Sequence, residues 1–268
     1  MNNLRYADDI VLLAESVEQL QEMVSRLENT CKKYHMTISA SKTKAMKIGR
    51  RQEDISVSLT SGTIEQVDCF KYLGVQFSEN RDSFKIVRER VGLGYVAFKK
   101  LAKIWRDGTI SLKLKLRLLN AIVIPTALYG SECWVLKMRE KRKLLAFEMY
   151  CLRRILNIRW EQRITNDRVR EIIGSNHNIV ERVQDGQRRW FGHVERMGAN
   201  RWTRITMYGG VHGRRPRGRP RTTWWQQFRE ANSGLSTREL VDLARSREDW
   251  RHYRAITWDP TWHPPDGT

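Results

Sequence analysis

The chain has 268 residues, 40% of them hydrophobic, and a formal net charge of +19. That length carries one large or two modest domains with real cores, and ten tryptophans argue against wholesale disorder. The charge argues against a neutral, partner-indifferent surface, and it is unevenly placed: residues 1–80 hold 10 Lys and Arg against 11 Asp and Glu, residues 81–268 hold 39 against 19.

Beyond Lys143 every basic residue is arginine, whose guanidinium forks onto phosphate and stacks on flat rings. Nucleic acid or an anionic membrane is the usual partner of such a surface. Arginine-rich codon usage is the bland alternative, but it leaves the asymmetry unexplained. Cys31, Cys69, Cys133 and Cys151 form no CxxC pair and no His/Cys cluster at zinc spacing, so reduced thiols are expected. The start lacks a basic segment followed by an apolar one, and no secretory signal is expected. The longest apolar stretch, Leu118 to Tyr129, contains Asn120 and Pro125 and is shorter than the roughly 20 residues of a membrane span. The expectation is a soluble intracellular chain with no membrane partner.

In chain order, residues 5–14 read as two short strands around the acid pair Asp8–Asp9. Each buried, unpaired carboxylate is costly to desolvate, so the pair belongs at an exposed tip. An ordinary Asp-Asp turn fits the same flanks. Ser16 then opens a helix, with Gln19 three residues on as a capping box. Val17, Leu20, Val24, Leu27, Cys31 and Tyr34 make its apolar stripe. Residues 44–49, 55–59 and 63–67 are short strand candidates, expected to form a small antiparallel set, and FKYLGVQFS over 70–78 is a further strand. From residue 82 the period becomes helical. Leu112, Leu114, Leu116 and Leu118 alternate like a strand, but Leu112, Leu116, Leu119 and Val123 fit a helix starting at Ser111, and the length favours helix. Residues 138–158 read as a strongly basic helix. Further on, QRRWFGHVERM predicts a short helix, VHGRRPRGRPRTTWW cannot be one, and STRELVDLARSREDWRHY closes the chain as a helical segment.

Taken together, YADD at 6–9, the amphipathic helix, ISASKTKAMKIG and FKYLGVQF resemble the back half of a reverse-transcriptase palm. The resemblance is closest to polymerases of non-LTR, LINE-type retrotransposons. ALYGSECW, RRWFGHVERM and GRRPRGRPRTTWW resemble the thumb and C-terminal tail of such proteins. The fold class implied is α+β. A partial palm of antiparallel hairpins plus helix spans 1–80, a helical thumb-like region 81–160, and an Arg/Trp-rich, mostly helical tail 161–268, with a Gly/Pro/Arg linker at 209–221.

The resemblance implies RNA-directed DNA polymerase chemistry, with RNA template and DNA primer or target as partners, Mg²⁺ as cofactor and a nuclear setting. Asp8 corresponds to the metal ligand and Asp9 to the supporting acid. Two-metal transfer needs carboxylates to hold Mg²⁺ ions roughly 3.5–4 Å apart, one activating the primer hydroxyl and one steadying pyrophosphate. Tyr6 is expected beside the primer terminus. Lys42 corresponds to a lysine suited to the pyrophosphate, and is equally a plain surface lysine. Tyr72, Leu73 and Gly74 are expected to grip the primer backbone, or simply to pack as a strand with a glycine bulge. The pattern departs from the family in two respects. Only five residues precede Tyr6, leaving no place for fingers or an earlier palm aspartate, and Ser39 stands where the family has asparagine. A C-terminal piece, inactive alone, is the expectation.

Arg214, Arg215, Arg217, Arg219 and Arg221 surround the Gly218-Arg219-Pro220 core of an AT-hook-like segment. It suits either a narrow A·T minor groove or non-specific phosphate contact by a basic linker. A non-catalytic nucleic-acid-binding protein working through this tail is therefore the second reading. Trp190, Phe191, Trp224 and Trp225 beside arginines suit stacking on bases or the core of a small domain.

Overall fold

The computed structural model describes residues 3–48, 55–78, 83–174, 177–209 and 222–257, which fall into two compact units, 1–82 and 83–268. The Arg214–Arg221 segment lies outside the described residues.

In the first unit, β1 (Asn3–Tyr6) and β2 (Asp9–Leu12) form an antiparallel hairpin in which Tyr6 faces Asp9. Helix α1 (Val17–Lys33) follows, with Ser16 at its N-cap accepting from the Gln19 N–H at 3.3 Å. The expected capping box is only half made, because the Gln19 side chain bonds the N–H of Glu15 rather than that of Ser16. Of the predicted stripe, Val24 is buried and Val17 and Leu20 pack on the same small core, whereas Tyr34 lies past the helix end, 70% exposed.

Four short strands follow: β3 (Lys44–Ala45), β4 (Ser58–Leu59), β5 (Gly62–Thr63) and β6 (Glu65–Gln66). β4 and β5 pair antiparallel, but β3 and β6 pair parallel, which corrects the all-antiparallel expectation. The parallel pair is tied by Lys44 Nζ to Glu65 Oε2 at 2.6 Å. Helix α1 holds the β4–β5 hairpin through side chains. Gln21 accepts from the N–H of Ser58 and donates to its carbonyl, while Glu28 accepts from the Thr60 N–H. Val24, Ala45, Val57, Leu59 and Ile64 are the buried centre, with Leu12 of the first hairpin packed against them.

A last hairpin, β7 (Cys69–Tyr72) and β8 (Val75–Ser78), turns through Leu73 and Gly74, where a single strand was one reading of the sequence. Both turn residues have positive φ, 47° and 76°, as a two-residue type I′ turn demands. None of its residues belongs to the apolar cluster on α1. The described strands thus form four separate two-stranded sheets.

The second unit is helical among its described residues. α2 (Ser83–Lys100) and α3 (Ala102–Arg106) are separated at Leu101. α4 (Leu112–Leu118) starts at the predicted Ser111, whose hydroxyl accepts from the Leu114 N–H. Leu119–Val123 then winds as a π-helical turn into α5 (Ile124–Leu128). Pro125 supplies the cause, since its ring lacks an N–H and crowds the preceding turn, and a widened turn absorbs both effects. α6 (Met138–Ile155) contributes Leu144, Phe147, Cys151 and Leu152 to the core. Gly94 of α2 sits so close that an added Cβ would lie 2.7 Å from Phe147 Cζ, so this glycine lets the two helices meet.

One apolar cluster runs from Val87 to Val183. It crosses residue 160, so α7 (Asn166–Ile173) and the start of α8 (Ile179–Glu195) share the core of the helices before them. The short helix expected around Trp190 is the second half of the longer α8, which begins at an Asn178–Glu181 capping box. The remaining helices are α9 (Trp202–Tyr208), α10 (Trp224–Glu230), α11 (Thr237–Arg245) and α12 (Arg247–Thr257). The single closing helix predicted from the sequence breaks at Ser246, whose hydroxyl accepts from the Asp249 N–H.

Phe191, Phe228, Leu240, Ala244 and Trp250 are buried together, with Trp224 and Trp225 packed against them. Of the two readings for Trp190, Phe191, Trp224 and Trp225, the structure realises the core for the last three, while Trp190 is half-buried outside this cluster. The cluster is pinned by the indole N–H of Trp250 on the Arg188 carbonyl at 3.0 Å and by Trp224 on the Glu132 carbonyl at 2.7 Å. Arg254 also clamps buried Asp185 with two hydrogen bonds of 3.0 and 2.9 Å.

Candidate functional site

Stiff apolar residues either side of two acids make a hairpin whose tip is polar, and the β1–β2 ribbon is built that way. Ala7 and Asp8 form its two-residue turn, with Ala7 at a left-handed φ of 51°. Asp9 begins β2 opposite Tyr6. Asp8 and Asp9 are exposed, Tyr6 is 65% exposed, and neither carboxylate has a hydrogen bond or ion pair among the described residues. Their oxygens are therefore uncommitted. Leu12, half-buried against the cluster on α1, anchors the base of the ribbon.

Two adjacent free carboxylates suit Mg²⁺, which keeps several waters and is commonly held by one or two carboxylates plus substrate phosphates. Asp8 and Asp9 thus fit part of such a coordination shell. Among the described residues no group of three or more His, Cys, Asp or Glu side chains is gathered to hold a metal.

Tyr6, Asp8 and Asp9 are brought together at one tip. Lys42 is exposed in the turn at 40–42 that precedes β3, and no hydrogen bond or ion pair links it to the acids among the described residues. Tyr72 is half-buried, and Leu73 and Gly74 form the tip of the other hairpin. The strands of the two hairpins are not hydrogen-bonded to one another. Arg214, Arg215, Arg217, Arg219 and Arg221 fall outside the described residues.

Comparison with known proteins fits this geometry. Residues 1–77 match the reverse transcriptase (RNA-dependent DNA polymerase) family. The match covers the acid hairpin, α1 and the Tyr72–Gly74 turn. The whole chain is similar to a transposon-derived protein of Caenorhabditis elegans, with 26% identity over 263 residues, covering 93% of this chain and 94% of that one. No solved structure matches. The N-terminal part therefore carries a reverse-transcriptase domain match, within a chain that has a transposon-derived homologue. A reverse-transcriptase domain implies nucleic-acid substrates. No helix among the described residues is long and apolar enough to cross a membrane.

Sequence reasoning missed a second polar site, in the helical unit. Glu148 of α6 is buried beside Arg170 of α7, Arg182 of α8 and His177, in a small cavity also lined by Asn120 and Leu116. Arg170 Nη2 lies 3.7 Å from Glu148 Oε2. Burial raises the Glu148 pKa to about 7, against the opposing pull of Arg182, Arg170 and the Ile179 N–H. Periodicity alone could flag Glu148 only as a charge among the apolar positions of α6.

Proposed function

We propose that this chain is part of the polymerase machinery of a non-LTR retrotransposon, with Asp8 and Asp9 as its metal-binding carboxylates. The observation that carries the reading is the exposed, uncommitted acid pair at a hairpin tip inside the matched segment. When bound, Mg²⁺ supplies activation of a primer hydroxyl and charge relief for departing pyrophosphate. The chain's own residues do the rest. Asp8 and Asp9 offer oxygen ligands from adjacent positions at the exposed end of the hairpin. Tyr6, across the ribbon from Asp9, offers a flat face beside them for the primer terminus. The Leu73–Gly74 turn offers backbone at a second tip for the primer strand. Lys42, exposed in the turn before β3, is the candidate for steadying the charge of pyrophosphate.

Two carboxylates supply only part of what two ions need, and the described residues gather no third. The 268-residue chain by itself is therefore proposed to be inactive. Template–primer, deoxynucleotides and Mg²⁺ should yield no product above that of an Asp8→Ala control. Extension by wild type that disappears in Asp8→Ala would overturn the proposed inactivity and support the carboxylate assignment. A second reading, binding without catalysis through the arginine-rich tail, is favoured by the excess of 39 basic over 19 acidic residues in 81–268.

A further inference from the structure

We propose that the turn between α6 and α7 is a stacking point for an unpaired base, with Trp160 as the platform and Arg159 and Arg163 as phosphate contacts. This rests on the reading that the chain handles nucleic acid, and adds to it a site and a strand state.

Of the eight tryptophans described, Trp105, Trp134 and Trp250 are buried, Trp190, Trp224 and Trp225 are half-buried, and Trp202 is 50% exposed. Trp160 is 85% exposed, more than any other large hydrophobic residue described. Leaving an indole in water forgoes burial that favours folding, so its exposure calls for a reason.

The turn that carries it is held in place. Ile158 N–H bonds the Arg153 carbonyl at 2.9 Å, closing the end of α6. Trp160–Gln162 makes one 3₁₀ turn, in which the Arg159 N–H donates to Gln162 Oε1 at 2.8 Å and the Arg163 N–H to the Trp160 carbonyl at 3.1 Å. On either side Ile158 and Ile164 pack against the apolar core, and Thr165 caps α7. The indole is thus presented on a fixed support.

Charge chooses the occupant. Arg159 and Arg163 flank Trp160 along the chain, are exposed, and form no ion pair among the described residues, while Glu161 is the acid between them. Asn157, Arg159, Glu161, Gln162 and Arg163, its near neighbours in the chain, are all exposed and polar. An isolated ring in polar surroundings gives a membrane little apolar area to absorb and gives a protein helix no groove. It does offer a π-face to one flat ring, with cations placed for the phosphates on either side. Unpaired nucleotides have that chemistry, whereas the bases inside a duplex keep their faces covered.

The test uses the full chain as wild type, Trp160→Ala, Trp160→Phe and the pair Arg159→Ala with Arg163→Ala. Three probes are used: a labelled single strand of about 12 nucleotides, a hairpin duplex with the same number of phosphates, and phosphatidylserine-containing vesicles. Trp160→Ala should weaken single-strand binding about tenfold, while duplex affinity changes less than about twofold and Trp160→Phe keeps most of the binding. Removing the ring should leave the salt dependence unchanged. Removing the two arginines should flatten it by about 0.7 in log K against log salt for each phosphate of the single strand they had neutralised. Equal single-strand affinity in wild type and Trp160→Ala, equal losses on strand and duplex, or a loss seen only on vesicles overturns the stacking site and leaves the wider reading standing. Failure of the wild type to bind any polynucleotide overturns both.

Discussion

Glu148 shows how one residue links burial to a solution property. Its usual pKa of 4.5 rises to about 7 because burial penalises the charged form more than Arg182 and Arg170 recover. Between those values the folded chain keeps a proton that the unfolded chain has lost. Stability of the helical unit should then fall as pH rises from about 4.5 to about 7 and level off above. At about 1.36 kcal/mol for each pH unit of that interval, the change is on the order of 3 kcal/mol. All ten tryptophans lie at position 105 or later, so their fluorescence in urea follows this unit alone. Glu148→Gln, with a neutral side chain of the same shape, should show a flatter stability profile than wild type between about pH 5 and 8. Equal profiles would mean that Glu148 does not titrate in that range. None of this was legible in the sequence, because the carboxylate meets Arg170 and Arg182 only once three helices have packed.

The element scale separates what local pattern encodes from what packing decides. Ser16, Ser111 and the stripe Leu116, Leu119 and Val123 were readable, because caps and the 3.6-residue period lie within one stretch of chain. The parallel pairing of β3 with β6 was not, since two-residue strands carry no alternation that fixes direction. The break at Ser246 was missed because the apolar face of Leu240, Leu243 and Trp250 continues across it. Packing also makes Gly192 of α8 predictive. An added Cβ would overlap the indole nitrogen of Trp250 on α12. Gly192→Ala must displace that buried ring and its bond to Arg188, at a cost of about 1–3 kcal/mol, as overpacking typically gives. Hydrogen exchange should then quicken most in residues 224–257, with α2 and α6 keeping their protection. Unchanged exchange in α11 and α12 would contradict the contact.

At the scale of the whole molecule, charge and chemistry are divided along the chain. The near-neutral first unit carries the acid pair, and the basic second unit carries the arginines and the exposed indole. The acid-tipped hairpin was legible because YADD, the helix and the Tyr-Leu-Gly turn come in a fixed order, and residues 1–77 match the reverse-transcriptase family. Trp160 was not, because exposure belongs to the folded surface, and a lone Trp between two arginines reads like many others in this chain.

The central claim is that Asp8 and Asp9 hold a divalent cation beside a primer end. Ferrous iron can replace Mg²⁺ and, with ascorbate and peroxide, cut nearby backbone through locally produced hydroxyl radicals. On a template–primer bound to the full chain, wild type should give cuts centred on the primer 3′ terminus. The double variant Asp8→Asn with Asp9→Asn should bind the same duplex and lose those cuts. Cuts spread evenly along the duplex, or a pattern at the primer terminus that survives the double variant, would contradict the assignment.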